Sequence, residues 1–255
     1  MTEMAVRAHV NAINACNQRG GRMLSLVDLI DAGTVDLALG AYLAASMRAG
    51  ASLLVGAQPG GAGKTAVMCA LLNFLPDHTA ISAISSQAVL AAGLRDERTG
   101  ETCYMAHEIG AGNYYAYIWG GHARAFFRLA ARGHIVASNL HADTLEQTQS
   151  QLCRENGVDP GDLAAVTLKL YLRVQRSGWH TDRRISHVYE SDGAHDRLVW
   201  TGDASGAFTR RAESTFVSPD QEASYARLLD DLYQRDVRRI EDVRRTLLQR
   251  APEDP

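Results

Sequence analysis

The sequence predicts an α/β fold with a mostly parallel sheet, followed by a smaller C-terminal region of strands and helices. Short apolar runs, such as residues 51–55 and 134–139, alternate with apolar stretches of helical length, which is typical of strands joined by crossover helices. A glycine-rich loop directly follows the first of these runs. The composition, with 46% hydrophobic and 22% charged residues in a chain of 255, supplies enough apolar surface for a sizeable core.

The first third of the chain predicts helices before and after one buried strand. Residues 4–18 are weakly helical, residues 24–30 form a short helix that ends near Gly33, and residues 35–47 form a longer helix ended by Gly50. The apolar run 51–55 is bounded by glycines and is assigned as a strand. A helix over 66–75 follows the glycine-rich loop, because Pro76 ends its apolar run.

Strands and helices alternate after this proline. Strands are predicted at 80–84, 102–106, 114–119 and 134–139, and helices at 123–132, 145–153 and 160–166. The run 114–119 (YYAYIW) is assigned as a strand because aromatic residues favour that conformation. From about residue 168 to 210 the pattern is strand-like, with turns at Asp192–Gly193 and Ser205–Gly206.

Two helices are predicted to end the chain. Ser218, Pro219 and Gln221 have the spacing of a helix start, with a capping serine, a proline in the first turn and a glutamine three residues later. Ile240 and Val243 lie on one face of the second helix. We therefore divide the chain into a helical lead-in (1–50), a core (51–190) and a C-terminal region of strands and a helical hairpin (191–255).

Several classes of protein are excluded by composition and pattern. No apolar run approaches the roughly 18 residues needed to span a bilayer, and the first ten residues lack the basic and apolar segments of a secretory signal. The net charge of −3 gives no electrostatic reason to expect nucleic-acid binding. The four cysteines are not spaced as metal or redox pairs, so free thiols in a reducing, cytoplasmic compartment are expected.

The glycine-rich loop carries the strongest chemical signal. It follows a strand and opens a helix, the context of a phosphate-binding loop, and glycines let successive backbone N–H groups point inward at phosphate oxygens. The residues expected to bind the phosphates are Gln58, Pro59, Gly60, Gly61, Ala62, Gly63, Lys64 and Thr65. The first of these stands where the usual motif has glycine, so a glycine-rich turn with an incidental lysine is the alternative.

Lys64 and Thr65 have assigned roles in this interpretation. Only Lys64 and Lys169 among the 26 Lys and Arg residues are lysine, so a lysine here indicates a need for a compact ammonium group rather than a planar guanidinium. Lys64 would contact the β- and γ-phosphates, and the Thr65 hydroxyl would hold Mg²⁺.

From about Leu24 to Glu190 the chain resembles the ATPase family of type II and type IV secretion systems and type IV pili. Four stretches carry the resemblance: LVDLIDAGTV before the loop, ALLNFLPDHTAISAIS after it, GHIVASNLHAD, which is similar to the family's histidine box, and LKLYLRVQRSGWHTDRRISHVYE. The resemblance implies a RecA-like P-loop core and a hexameric ring. It also implies ATP hydrolysis with Mg²⁺, which drives a secretion or pilus machine from the cytoplasm, at the periphery of the inner membrane. Lys64 and Thr65 then match the phosphate and metal groups, and His141 matches the box histidine that senses the nucleotide.

Departures from the family concern mainly the acidic residues. Ser85–Ser86 stand where the family has an acidic pair, and the strand assigned to 114–119 ends in two glycines and His122 where the family has a glutamate. Against the family's pattern, we expect its large N-terminal domain to be absent or reduced to residues 1–23. Glu108 is the nearest carboxylate that could orient the attacking water, although a solvated strand-end residue is an equal interpretation.

Three functions therefore stay open. The first is a motor-type ATPase with weak hydrolysis, in which Lys64, Glu108 and His141 are catalytic. The second is a non-catalytic ATP-binding subunit that has lost its acids, and the third is a small-molecule P-loop kinase. Four arginines are candidate groups for reaching a neighbouring subunit: Arg95, Arg98, Arg124 and Arg183.

Overall fold

The computed structural model describes residues 3–17, 20–112, 114–177 and 180–249. Within these ranges the helices are α1 (Glu3–Asn14), α2 (Leu26–Asp31), α3 (Leu37–Arg48), α4 (Lys64–Leu72), α5 (Gln87–Gly93), α6 (Gly121–Ala131), α7 (Leu145–Gln149), α8 (Pro160–Ala164), α9 (Pro219–Gln234) and α10 (Ile240–Gln249). The strands are β1 (Leu53–Gly56), β2 (Ala80–Ala83), β3 (Thr102–Ile109), β4 (Tyr117–Ile118), β5 (Ile135–Leu140), β6 (Leu168–Ser177), β7 (His180–Ser191), β8 (Asp196–Gly202) and β9 (Phe208–Arg210). None of the helices described is long and apolar enough to cross a membrane.

The strands form one sheet of nine strands over the described residues, and its first half is parallel. Strands β2, β3, β5, β1 and β6 follow one another in that order, and β4 pairs with the end of β3. Strand β1, which leads into the glycine-rich loop, therefore lies between β5 and β6. The predicted α/β class with a mostly parallel sheet is confirmed.

The second half of the sheet is antiparallel and continues the first without a break. Strands β7, β8 and β9 add to β6 in order, and β7 runs through residue 190. The buried Glu190 carboxylate accepts hydrogen bonds from the Tyr42 hydroxyl (2.8 Å) and the Thr215 backbone N–H (2.7 Å). These bonds tie the end of β7 to α3 and to the segment that precedes α9.

Two hydrophobic clusters cover the two faces of the sheet. Leu53 and Val55 of β1 belong to the cluster formed with α1–α4, α9 and α10, whereas Leu54 belongs to the cluster formed with α6 and α8. Neighbouring residues of a strand point to opposite faces, so a strand buried on both faces is continuously apolar. The apolar run 51–55 thus has the composition of a central strand.

Two predicted elements differ from the structure, and one helix of the structure was not predicted. Residues 114–119 do not form a full strand: only Tyr117–Ile118 pair, while Tyr114 and Tyr115 are exposed. Aromatic propensity was misleading here because a strand needs a packed surface to cover. Helix α5 was not predicted, and the helix over 145–153 continues from Gln149 as a π-helical turn, Ser150–Glu155.

The predicted helix start at Ser218 is confirmed in detail. The Ser218 side chain accepts a hydrogen bond from the Gln221 backbone N–H, and the Gln221 side chain accepts one from the Ser218 N–H (2.8 Å). This reciprocal pair satisfies two backbone donors that a helix N-terminus otherwise leaves open.

Candidate nucleotide site

The glycine-rich loop connects β1 to α4 at the carboxyl ends of the parallel strands, where open α/β sheets bind ligands. Gly61 and Gly63 have φ angles of +77° and +94°, a region that glycine enters without the steric cost of a side chain. Gly63 is the N-cap of α4 and offers no side chain to the first helical N–H groups. These donors lie beside a cavity of about 430 Å³, so an anion there would meet open N–H groups at the positive end of the helix dipole.

Lys64, Glu108 and His141 meet at this cavity although they come from three different elements. Lys64 begins α4, Glu108 lies near the end of β3, and His141 directly follows β5. The Lys64 Nζ lies 3.1 Å from Glu108 Oε1, and His141 Nε2 lies 2.6 Å from the same oxygen. All three predicted catalytic side chains therefore share one contact point.

Lys64 and Glu108 are both largely buried, with 8% and 7% of their surface exposed. The Lys64 ammonium also donates to the Ala57 carbonyl (3.0 Å). Burial raises the pKa of Glu108, but the Lys64 charge, a hydrogen bond from Tyr117 and the His141 ring together hold that pKa below its ordinary value. The carboxylate is consequently ionised at neutral pH and balances the lysine charge.

Tyr117 is a site residue that the sequence analysis missed. Its hydroxyl donates to Glu108 Oε2 (2.9 Å), the oxygen that faces away from the lysine contact. Burial first, and then the Glu108 carboxylate, raise the pKa of Tyr117 to about 12, so the hydroxyl keeps its proton. The residue was read as part of an aromatic strand, and the run YYAYIW carries no signal that marks one of its tyrosines as a carboxylate partner.

Thr65 is held by Asn139, which sequence reasoning also missed. The Asn139 Nδ2 donates to Thr65 Oγ1 (3.3 Å) and to the His107 carbonyl (2.8 Å). Asn139 is fully buried, and its Oδ1 has no hydrogen-bond partner in the structure. The stretch SNLHAD, which was read for its histidine, contains this asparagine.

These residues fit a hydrated Mg²⁺ ion beside phosphate. Magnesium keeps several water ligands and takes one or two protein groups together with substrate phosphates, and the Thr65 hydroxyl is such a group. The buried, unpartnered Oδ1 of Asn139 is an acceptor of the kind that a metal-bound water requires. The described residues contain no group of three or more His, Cys, Asp or Glu side chains that could hold a metal by themselves.

The first part of the loop is fixed by the segment after β5. The Gln58 backbone N–H donates to Asp143 Oδ1 (2.7 Å), and His141 Nδ1 lies 3.3 Å from the Gln58 carbonyl. Gln58 therefore contacts the histidine box through its backbone. Strand β1 ends close by at Gly56, where a Cβ atom would lie 2.4 Å from the Ala142 carbonyl oxygen.

The four candidate arginines have different surroundings. Arg183 of β7 donates to the Gly61 carbonyl of its own chain (2.9 Å). Arg98 is exposed and pairs with Asp96 (3.0 Å), and Arg124 donates to the Asn156 carbonyl (2.8 Å). Arg95 is exposed at the end of α5, so only Arg183 touches the phosphate loop.

Four further residues singled out in the sequence lie outside the contact between Lys64 and Glu108. Ser85 and Ser86 precede α5, and His122 is an exposed residue in the first turn of α6. Lys169 is buried on β6, where its Nζ donates to Asp196 Oδ1 (2.6 Å) and the Val166 carbonyl (2.8 Å). The scarcity of lysine thus marks two positions, one at the phosphate loop and one in a buried ion pair.

Comparison with known proteins gives fold-level similarity. No protein-family model matches the chain, and no curated protein does. Among solved structures, the chain is similar to the VirB11 ATPase of the Brucella suis type IV secretion system, solved with sulphate, at 20% identity and a TM-score of 0.44 over 66% of this chain. It is also similar to the Legionella pneumophila ATPase DotB, at 10% identity and a TM-score of 0.40 over 84% of this chain. The chain covers 57% and 59% of the length of these two structures.

Proposed function

We propose that this protein binds ATP with Mg²⁺ at the phosphate loop and hydrolyses it, as an ATPase of the secretion and pilus motor type. The observation that carries the proposal is the meeting of Lys64, Glu108 and His141 at one cavity beside the open N-terminus of α4. A phosphate loop alone supports nucleotide binding, whereas a buried, ionised carboxylate beside its lysine supports hydrolysis as well.

The residues would divide the work by charge. Entry of the β- and γ-phosphates would draw the Lys64 ammonium away from Glu108, since two phosphate groups offer it more negative charge than one carboxylate. Glu108 Oε1 would then be free to accept a hydrogen bond from the attacking water. Thr65 would hold Mg²⁺, which would supply positive charge to offset the charge that develops on the phosphate oxygens. His141, which contacts Glu108, would respond to the presence or absence of nucleotide in the loop.

Assembly belongs to the same proposal and rests on the resemblance. A motor of this type would work as an oligomer, by resemblance a hexameric ring, in the cytoplasm and at the periphery of the inner membrane. Charge on a transferred phosphoryl group is commonly stabilised in part by an arginine from a neighbour. A single subunit should therefore turn over ATP slowly, with a rate per subunit that rises with protein concentration.

A second candidate, a non-catalytic ATP-binding subunit, is favoured by one observation. The Glu108 Oε1 that would hold water is in contact with both Lys64 and His141. If ATP leaves these contacts in place, the site can bind nucleotide but has no free group to orient water. We expect weak hydrolysis, at a rate well below the roughly 1–10³ s⁻¹ typical of enzymes. This rate is intermediate between those of a motor-type ATPase and a non-catalytic subunit.

The test combines binding with turnover. ATP affinity is measured by calorimetry with Mg²⁺, and hydrolysis is followed at protein concentrations from nanomolar to tens of micromolar. Lys64→Ala should weaken ATP binding about 100-fold, because a charge-assisted contact to phosphate is lost. Lys64→Arg is the matched control that keeps the charge, and it should fail as well because the guanidinium is too wide for the loop.

Each outcome separates the candidates. Unchanged ATP affinity in Lys64→Ala contradicts nucleotide binding at this loop. Tight binding without turnover at any concentration, with or without partner proteins, favours the non-catalytic subunit. Fast turnover that does not depend on concentration argues against a site shared between subunits.

A further inference from the structure

The two oxygens of the Glu108 carboxylate have different surroundings. Oε1 faces Lys64 (3.1 Å) and His141 (2.6 Å), whereas Oε2 accepts a hydrogen bond from the Tyr117 hydroxyl (2.9 Å). Under the proposed function, Lys64 and His141 would turn toward the bound nucleotide. Tyr117 contacts the other carboxylate oxygen and would keep its contact.

The position of Tyr117 is fixed by more than its hydroxyl. Tyr117 is the register partner of Glu108 in the short β3–β4 pair, and its ring stacks on the His107 ring with centroids 5.7 Å apart and planes 16° apart. The His107 backbone N–H donates to the Ala116 carbonyl (2.8 Å), and the Gly110 N–H donates to the Ile118 carbonyl (3.1 Å). These bonds hold the residues on both sides of Tyr117 against β3.

The backbone before Tyr117 is strained. Ala116 has a φ angle of +54°, a conformation that costs a residue with a side chain about 1–2 kcal/mol. Such strain persists only where the surroundings over-determine it, and it concentrates at functional sites. A tyrosine that only packed against the sheet would not require a left-handed alanine at its N-terminal side.

We propose that Tyr117 is a positioning residue for Glu108, which fixes the plane of the carboxylate through Oε2 and so directs Oε1 at the water that attacks the γ-phosphate. This inference rests on the proposed function and assigns to it a residue outside the phosphate loop and the histidine box. The hydroxyl also keeps the carboxylate ionised, since a hydrogen bond to the charged form favours that form.

Tyr117→Phe is the test, because it removes the hydroxyl and keeps the ring that stacks on His107. We expect kcat for ATP to fall about tenfold or more, the loss expected when a charged group loses one hydrogen bond, while KM for ATP changes less than twofold. The acid limb of the pH profile of kcat should move to higher pH, because loss of the Tyr117 hydrogen bond makes the Glu108 carboxylate easier to protonate. The other titratable groups that face Glu108 are Lys64, His141 and His107, and they are unchanged in this variant. Tyr115→Phe is the matched control, because Tyr115 lies on the same loop and is half exposed.

A second readout does not need hydrolysis. Carbon-13 NMR of the glutamate side-chain carboxyls, with the Glu108 signal assigned from Glu108→Gln, gives the pKa of Glu108 directly. That pKa should rise in Tyr117→Phe and stay unchanged in Tyr115→Phe. A parent that binds ATP without hydrolysing it would contradict the proposed hydrolysis and leave this titration as the measurement that decides the role of Tyr117.

Two results would overturn the inference. One is a Glu108 pKa that is the same in the parent and in Tyr117→Phe. The other is a kcat in Tyr117→Phe equal to that of the parent, because this variant keeps the ring and a residue whose only role is packing would not lose activity.

Discussion

The two ends of helix α4 are built in opposite ways. At its N-terminus Gly63 provides no side-chain cap, and Lys64 and Thr65 line a cavity. At its C-terminus the carbonyls of Leu72 and Asn73 accept hydrogen bonds from His9 (3.1 Å) and Arg244 (3.0 Å). Every helix leaves backbone groups without a partner at both ends, and here one end is closed by side chains while the other is open to a ligand.

The closed end draws on three distant helices. His9 comes from α1, Arg48 from α3 and Arg244 from α10, and Arg48 and Arg244 both donate to the Leu75 carbonyl just beyond the helix. Arg244 is only 2% exposed. The comparison indicates that side chains of three other helices anchor α4 at its C-terminus, whereas its N-terminus lacks a side-chain cap.

The first and largest expected effect is at the open end. Glu108→Gln removes the carboxylate charge and keeps the shape, so kcat for ATP should fall about 10²–10⁴-fold, the usual contribution of a group that handles the water or its proton. ATP affinity should be unchanged or slightly higher, because Lys64 is released from its carboxylate partner. Glu101→Gln, at an exposed residue directly before β3, is the matched control. If Glu108→Gln hydrolyses ATP as fast as the parent, the carboxylate has no role in the reaction.

The second effect is at the closed end and concerns stability. Arg244→Met keeps much of the buried stem but leaves the carbonyls of Asn73, Leu75 and Pro76 without that donor. We expect the free energy of unfolding, measured by urea denaturation, to fall by about 2–4 kcal/mol. Arg245→Met, at the half-exposed neighbour on α10, should change it much less, because the ion pairs of Arg245 with Glu3 and Asp242 are screened by solvent.

Arg244→Met also tests the separation of the two ends. ATP affinity in this variant should stay within about threefold of the parent, provided that the measurement is made well below its unfolding midpoint. A loss of ATP affinity as large as that of Lys64→Ala would show that the two ends are not independent, and the comparison would fail.

The last expected effect is a pH dependence of stability. Burial first, and then the Arg244 charge, lower the pKa of His9 from 6.5 to about 3. As pH falls from about 6.5 to about 3, the unfolded chain binds a proton that the folded chain does not, so the free energy of unfolding decreases by up to about 1.4 kcal/mol per pH unit from this residue. Above pH 6.5 both states are neutral and the contribution is constant.

His9→Gln isolates this contribution, because glutamine keeps a donor for the Leu72 carbonyl and does not titrate. The decrease in unfolding free energy between pH 6.5 and 4 should be smaller in His9→Gln than in the parent. The exposed His195 is the control, and His195→Gln should leave the slope as it is in the parent. Equal slopes in the parent and His9→Gln would mean that the pKa of His9 is the same in the folded and unfolded protein.

The sequence could predict the open end of α4 and not the closed end. The loop from Gln58 to Thr65 is local, and the need for glycines and one lysine is visible in consecutive residues. The cap at the other end joins Arg244 to a carbonyl 171 residues earlier and His9 to one 63 residues later. No local pattern marks an arginine or a histidine for such a contact.

The placement of Glu108 also depends on contacts between distant segments, which the sequence does not reveal. The sequence identified Glu108 as the nearest carboxylate, but it assigned the missing glutamate to a strand over 114–119. In the structure β3 is the strand that runs between β2 and β5 and carries Glu108 to the site, and β4 only pairs with its end. Which strand reaches the loop depends on sheet order, and sheet order is decided by packing between distant elements rather than by any one segment.

The close approach at Gly56 has a consequence for the precision of the site. A Cβ atom at position 56 would lie 2.4 Å from the Ala142 carbonyl oxygen, and Ala142 directly follows His141. The spacing between the histidine box and the phosphate loop is thus set by the smallest side chain available. A shift of about 1 Å at reacting groups can lower a rate about a hundredfold. Under the proposed function, Gly56 would therefore fix the distance between His141 and a bound nucleotide.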